Sequence, residues 1–217
     1  MKIKLSNTSK MPCKSWGIPA ITCKTGSKLA KIKGSVCNGC YALKGAYSWP
    51  TVKNAYQVRL NDYNANDTKD YQWVNEMIQT IDKEAKRQKK QGSSQAYFRW
   101  FDSGDLQSEQ MLKDIMIIAY NLPHVKFWLP TREIKILKAF FGRDQRKPSN
   151  LTIRLSDMMV DLDMVITDKN LQEAGILQSG VTTKSDVANC HSFKQHGKCL
   201  ECRACWDSSK KISYLKH

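Results

Sequence analysis

The spacing of hydrophobic and polar residues in the middle of the chain predicts a series of amphipathic helices. Apolar residues recur every three or four positions over four stretches, which places them on one face of each helix. Ser108 stands where an N-cap is expected, just before the third stretch. The predicted helices run from Thr51 to about Asn64, from about Lys69 to Lys90, from Ser108 to Tyr120 and from Ile134 to Phe141.

Short apolar runs of β-forming residues alternate with these helices. A β-α-β-α-β order of this kind argues for a parallel sheet with right-handed crossovers. Four or five strands are too few for a closed eight-stranded barrel, so we expect an α/β fold, either a partial (β/α) barrel or an open, mostly parallel sheet. The predicted strands are Gln95–Phe101, Val125–Leu129, Leu151–Leu155, Met164–Ile166 and a late one at Gly180–Thr183.

Charged and hydroxyl-bearing residues occur in the sequence at the points where the predicted strands finish. In a parallel sheet these points share one edge, where the active face forms. Such groups could bind substrate hydroxyls, an amino group, a phosphate or a carboxylate, or they could form salt bridges and helix caps. No residue is identified as catalytic. The candidates for substrate binding are Asp102, Ser103, Asp105, Arg132, Glu133 and Arg154.

Length and composition bound the organisation of the chain. Its 217 residues, 41% of them hydrophobic, suffice for a core without disulfides, and we expect one domain over residues 1–217. That domain comprises an irregular cysteine-rich segment (1–50), an α/β core (51–188) and a cysteine-rich loop (189–217). No run approaches the roughly 18 apolar residues of a membrane span, and Met1–Lys10 lacks a secretory signal. We therefore expect a cytoplasmic protein with reduced thiols and no membrane partner.

The C-terminal cysteines form a Cys-x-x-Cys-x-x-Cys run with a more distant fourth cysteine. Two-residue spacers let successive thiolates wrap one face of a cubane, and a remote cysteine closes the site, as in the bacterial ferredoxin pattern. Zinc also accepts four thiolates, but usually from two separated Cys-x-x-Cys pairs, so a 4Fe-4S cluster is favoured over the alternative of zinc. The expected ligands are Cys190, Cys199, Cys202 and Cys205.

Four further cysteines, Cys13, Cys23, Cys37 and Cys40, form a second predicted quartet near the N-terminus. Only Cys37 and Cys40 have tight ligand spacing, and nothing but the count ties Cys13 to the others. If all four bind metal, the site is closed and structural. If Cys13 does not, three thiolates leave one iron open to a small molecule, for which S-adenosylmethionine is the obvious candidate in an α/β protein. The sequence thus predicts one or two iron-sulfur clusters.

The net charge is strongly positive, with 35 basic against 20 acidic side chains and a formal charge of +15. A charge of this size favours association with polyanions such as nucleic acid. It is equally consistent with a solvated basic surface that keeps the protein soluble. The charge therefore makes nucleic acid a candidate partner, but charge alone does not identify the partner.

Specific motifs are spread over nearly the whole chain. They are Gly17–Ala20, Cys23, Val36–Gly45, Phe98–Gln107, Phe127–Glu133 and Cys199–Trp206. Together they resemble the bacteriophage gene product eighty-eight family. The resemblance implies a phage-encoded protein made in the host bacterial cytoplasm, without implying a particular activity.

A looser resemblance connects the Cys40–Ala42 element with radical S-adenosylmethionine enzymes, which carry such an element before a partial barrel. Those enzymes usually hold their cluster with Cys-x-x-x-Cys-x-x-Cys, whereas Cys23 here stands fourteen residues before Cys37. By this resemblance the C-terminal cysteines would correspond to the auxiliary cluster that such enzymes often carry.

These observations lead to competing functional hypotheses. The first is a radical or redox iron-sulfur enzyme that binds S-adenosylmethionine or a small polar substrate at the C-terminal ends of the strands. The alternative is a basic nucleic-acid-binding protein whose zinc or iron-sulfur sites are structural. A third hypothesis is a phage effector that binds a host bacterial protein.

Overall fold

The computed structural model describes residues 3–65, 70–163 and 165–216, and its central feature is a six-stranded sheet. Each strand is parallel to its neighbours, and the strands lie across the sheet in the order in which they occur in the chain. The expected open parallel α/β sheet is confirmed, and it does not close into a barrel. The strands are β1 (Ser15–Trp16), β2 (Ala96–Trp100), β3 (Val125–Thr131), β4 (Leu151–Ser156), β5 (Leu177–Thr182) and β6 (Ile212–Leu215).

Most of the predicted helices are found at nearly the expected bounds. The Ser108 hydroxyl caps its helix by accepting from the Met111 backbone N–H at 3.1 Å. The predicted start of the longest helix at Lys69 lies outside the described residues. Within the described part of the chain, no helix combines the length and the apolar character that crossing a bilayer requires. The helices are α1 (Lys24–Leu29), α2 (Pro50–Asn64), α3 (Gln72–Lys90), α4 (Glu109–Asn121), α5 (Ile134–Phe141) and α6 (Lys169–Glu173).

The sequence pattern missed the shortest elements. Strand β1 has two residues and β6 has four, so neither shows a period that can be recognised. The strand predicted at Met164–Ile166 is wrong for residues 165 and 166, which lie in a loop, and Met164 falls outside the described residues. Three apolar residues in a row carry too little pattern to separate a strand from a loop. The described residues also form five 3₁₀ turns, at Ala20–Thr22, Tyr41–Leu43, Gly45–Ser48, His191–Lys194 and Ala204–Trp206.

The two faces of the sheet are covered by different parts of the chain. Successive side chains of a strand point to opposite faces, and on β3 the buried Phe127 and Leu129 belong to the main core that the helices cover. Trp128, between them, faces the other way and packs with Trp206 and Cys13. We call these the helix face and the second face. The C-terminal cysteine loop therefore covers the second face.

Candidate functional site

The C-terminal ends of β2 and β3 are joined by the buried carboxylate of Asp105. Its Oδ1 accepts from the Thr131 hydroxyl at 2.6 Å and from the Leu106 N–H at 2.8 Å, and its Oδ2 accepts from the Arg132 N–H at 2.9 Å. Burial raises the pKa of Asp105 to about 6, although these hydrogen bonds oppose the rise. Polar residues do lie together at this edge of the sheet, as predicted. Both carboxylate oxygens of Asp105, however, accept hydrogen bonds that hold the two strand ends together.

Glu133 fixes the segment that follows Cys23. Its two carboxylate oxygens accept from the Thr25 backbone N–H and from the Thr25 hydroxyl, each at 2.8 Å, and only 4% of the Glu133 surface is exposed. Thr25 lies in the first turn of α1, where a carboxylate is favourable for the unpaired backbone N–H groups. The carboxylate thus attaches the cysteine-rich segment to the end of β3.

Asp102 is surrounded by tyrosines that the sequence analysis did not single out. The Tyr56 hydroxyl donates to Asp102 Oδ2, and the Tyr41 hydroxyl donates to the Asp102 carbonyl at 2.9 Å. Tyr47 stacks on Tyr56 with ring centroids 5.9 Å apart. Ser103 is engaged through its carbonyl, which accepts from the Ile18 N–H at 3.0 Å. The N-terminal segment is therefore attached along the strand ends at several points.

Gly17 and Gly104 allow this close attachment. A Cβ atom at Gly17 would lie 2.8 Å from Asp102 Oδ1, and one at Gly104 would lie 2.7 Å from the Ile18 carbonyl oxygen. Gly104 also has φ +79°, a conformation that side chains other than glycine rarely adopt. Both glycines belong to the motifs that carry the family resemblance, and the close backbone approach gives a physical reason for them.

Gly104→Ala is expected to lower the free energy of unfolding by about 3 kcal/mol, of which about 1 kcal/mol is the cost of a left-handed alanine. Gly92→Ala is the matched control, because Gly92 has φ +90° but a Cβ atom there would meet nothing within 4 Å. Urea denaturation of both variants measures the difference. Equal losses would show that the contact with Ile18 is not tight.

Three N-terminal cysteines gather beside these strand ends. A side chain at Gly26 would meet Cys37 Sγ at 3.6 Å and Cys23 Sγ at 3.7 Å, so the two sulfurs border one small space. Burial raises the pKa of the Cys37 thiol, Arg132 opposes this rise, and Cys40 adds to it. The same three-cysteine group appears around Cys23, whose pKa is raised by burial and then by Asp105 and Cys40.

Arg132 differs from the other candidates because it is only partly buried and its guanidinium forms few contacts with the described residues. Its Nε–H donates to the Asp157 carbonyl at 3.4 Å, and among the described residues it forms no ion pair within 4.0 Å. Its positive charge lowers the pKa values of both Cys23 and Cys37 against the stronger effect of burial. Of the six predicted binding residues, Arg132 is the one available to an anionic group.

A groove opens beside this edge of the sheet. Its volume is about 520 Å³, and it lies between the starts of α1, α4 and α5. The lining is polar, with two lysines and two glutamines. The lining residues are Lys24, Gln107, Ser108, Glu109, Gln110, Lys135 and Ile136.

The C-terminal cysteines surround one small cavity on the second face of the sheet. All four predicted ligands line it, together with the side chains of His191 and Trp206. Burial raises the pKa of Cys205 to about 12 and also raises the pKa of Cys199. Cys202 is the exposed member of the group. The four cysteines that the sequence grouped are therefore neighbours in space. They are Cys190, Cys199, Cys202 and Cys205.

Cys13 lies with the C-terminal group and not with the N-terminal cysteines. It is buried against Trp128 and Trp206, and Cys205 packs on the same cluster. Its segment is tied to the loop because the Cys199 N–H donates to the Lys10 carbonyl at 3.0 Å. Burial raises the pKa of the Cys13 thiol to about 12. The sequence predicted two groups of four cysteines, whereas the structure forms one group of three near the strand ends and one group of five on the second face.

Arg154 does not join the strand-end residues. It is completely buried, and its guanidinium donates to the carbonyl oxygens of Cys205 and Ala204 at 3.0 Å and of Asp207 and Lys210 at 2.6 Å. Four of its five N–H donors are thereby used by the cysteine loop. Its position on the sheet agrees with the prediction, but its side chain holds the loop and does not face the strand ends.

Within the described ranges, no three His, Cys, Asp or Glu side chains are placed closely enough to hold a single metal ion. A tetrahedral zinc site draws its sulfurs to about 2.3 Å from one point. In a four-iron cluster each thiolate binds a different iron, so the sulfurs stand farther apart. Both cysteine groups offer thiols, which are ligands of zinc and of iron-sulfur clusters alike.

The sequence of this chain matches the profile of a known protein family. The profile of the family described as Gene product 88 matches residues 2–208. No curated protein and no solved structure matches the chain. The matched residues include both cysteine groups and the strand-end motifs.

Proposed function

The chain belongs to the Gene product 88 family, and from its two cysteine groups we propose that it is an iron-sulfur protein with redox or radical activity. In this proposal the N-terminal cluster binds a small molecule at an open iron, and S-adenosylmethionine is the first molecule to test. A phage protein of this kind would act in the reducing cytoplasm of its host, where thiols remain free to bind iron.

The observation that carries the proposal is the separation of Cys13 from the other N-terminal cysteines. Cys23, Cys37 and Cys40 are then three thiolates for a cluster of four irons, which leaves one iron without a protein ligand. When bound, such a cluster can supply one electron to a molecule held at that iron. A closed structural site would need a fourth ligand here.

The surroundings of the three thiols support binding of a polar molecule. Arg132 lies near Cys23 and Cys37 with most of its donors unused, so it would bind the carboxylate of an amino-acid-like cofactor. Glu133 holds the cysteine segment in place through Thr25, and Asp105 joins the two strand ends beside it. The polar groove that Lys24 and Lys135 line would admit a small polar substrate.

The proposal is tested by metal analysis of protein purified without oxygen. We expect about four irons and four acid-labile sulfides for each of two sites, and a change in the electron paramagnetic resonance spectrum of the reduced protein when S-adenosylmethionine is added. Cys37→Ser is expected to remove about half of the iron and the whole response to the cofactor. Cys205→Ser is the matched control, because it should remove iron from the other site and leave that response.

Iron that is fully ligated by thiolates and inert to the cofactor would contradict the radical version. Zinc without sulfide would make the cysteine groups structural. Binding to nucleic acid stays a prediction from charge, and binding to a host protein stays a hypothesis to which no sequence feature points. Salt-dependent binding to DNA or RNA would then be the next measurement.

A further inference from the structure

The positive side chain of Arg99, on the second face of the sheet, forms no ion pair with a carboxylate within 4.0 Å in the described part of the chain. The Arg99 guanidinium carbon lies 4.5 Å from the centroid of the Trp128 ring. Nη1 faces the Met11 sulfur at 3.6 Å, and Nη2 donates to the Phe101 carbonyl at 3.3 Å. The buried Nε–H has no partner among residues 3–65, 70–163 and 165–216.

This environment is costly for a charge that cannot be neutralised. A guanidinium keeps its proton, and removing it from water is unfavourable unless an anion or strong acceptors replace the water. A thioether is a weak acceptor, and a carbonyl at 3.3 Å is a long hydrogen bond. Burial lowers the pKa of Arg99, but Tyr41 and Asp102 nearby raise it by more, so the side chain stays a cation. A further negative charge close by would add to the stabilisation that Tyr41 and Asp102 already give to this cation.

The C-terminal cysteine group is where that negative charge would arise. Met11, which contacts Arg99, also lies with its sulfur 3.8 Å from Cys199 Sγ. Cys13 packs on the same tryptophan that lies under the guanidinium. Thiolates formed at these positions would face a cation that is already in place.

We propose that Arg99 is the built-in countercharge of an anionic metal-thiolate centre formed by the C-terminal cysteines. The inference rests on the metal-binding part of the proposed function. It goes beyond that function because it assigns a specific cation to the centre formed by the C-terminal cysteines. Several thiolates together with their metal carry a net negative charge, and one added electron makes that charge larger. A fixed cation therefore favours the reduced state and also holds the ligands deprotonated.

The test replaces Arg99 by methionine, which removes the charge, and by lysine, which keeps it. We expect Arg99→Met to shift the reduction potential of the C-terminal centre to more negative values and to speed metal loss to a chelator by about tenfold. Arg99→Lys should restore most of both properties. Lys126→Met is the control, because Lys126 is exposed on β3 two positions from Trp128. Chains that carry Cys37→Ser in addition isolate the signal of this centre.

The outcomes separate this inference from the proposed function. Equal potentials and equal release rates in wild type and Arg99→Met would overturn the inference. Metal at the N-terminal site alone would also overturn it while leaving the proposed function intact. Metal at the C-terminal site alone, with the Arg99 effect present, would support the inference and overturn the proposed function. If Arg99→Met does not fold, Arg99→Gln removes the charge while keeping a polar side chain, and the same comparisons apply.

Discussion

Arg154→Met is expected to lower the free energy of unfolding by about 5 kcal/mol, because four carbonyl oxygens lose a charged donor and each such loss costs about 1 to 3 kcal/mol. The four carbonyls belong to residues 204–210 of the cysteine loop. We expect the loop to detach from the second face and expose the carbonyls to water. Urea denaturation measures the loss of stability, and faster hydrogen exchange of the amides around Trp206 locates it.

Two variants control this prediction. Arg154→Lys keeps the charge, but an ammonium group donates from a single atom and cannot reach four carbonyls, so its effect should be intermediate. Arg203→Met removes an arginine of the same loop whose guanidinium donates to the nearby carbonyls of Leu200 and Cys202, and it should cost about 1 kcal/mol. Wild-type stability in Arg154→Met would show that the loop is held by other contacts.

Glu133→Ala is expected to release the N-terminal cysteine segment and, with it, about half of the bound iron. Thr25 would lose the acceptor of both its N–H and its hydroxyl, so α1 would no longer be attached to the end of β3. Iron analysis measures the metal loss. Hydrogen exchange of α1 measures the release directly and does not depend on the identity of the metal.

Glu133→Gln tests whether the charge or the shape of the side chain matters. Its amide oxygen can still accept one bond from Thr25, but its NH₂ group would face the other donor, so an intermediate loss is expected. Glu173→Ala is the surface control, because Glu173 is an exposed residue at the end of α6 and pairs with Lys169 of the same helix. Unchanged protection of α1 in Glu133→Ala would contradict the role given to this carboxylate.

The central fold was predictable because its elements are long enough to show their period. Helix α5 begins and ends at the residues that the apolar pattern indicates, and β2, β3 and β4 differ from the expected strands by one or two residues. Strands β1 and β6 could not be found in this way, because they are short and are stabilised by pairing with strands distant in the sequence. Pairing of this kind leaves no local pattern.

The candidate site was predictable in its residue types and less so in its groupings. The strand-end position of Asp105 and Glu133 follows from the parallel sheet, and the structure brings them together. The location of Cys13 could not be deduced, because the residues it packs with are far away in the sequence: Trp128 lies 115 positions further along the chain, and Trp206 lies 193 positions further. Arg154 was misplaced for the same reason, since the carbonyls it binds lie about 50 residues further along the chain.

The contact between Met11 and Cys199 joins residues that are 188 positions apart, which sets an order of events during synthesis. At about 5 to 20 residues per second, a ribosome needs about 10 to 40 seconds to make the intervening chain. Cys13 exists for nearly all of that time, and Trp128 is made more than halfway through it, while the loop that buries them does not yet exist. A metal held by the C-terminal group as proposed would therefore enter only after Cys205 has been made, whereas the three N-terminal cysteines and the strand ends beside them are made earlier.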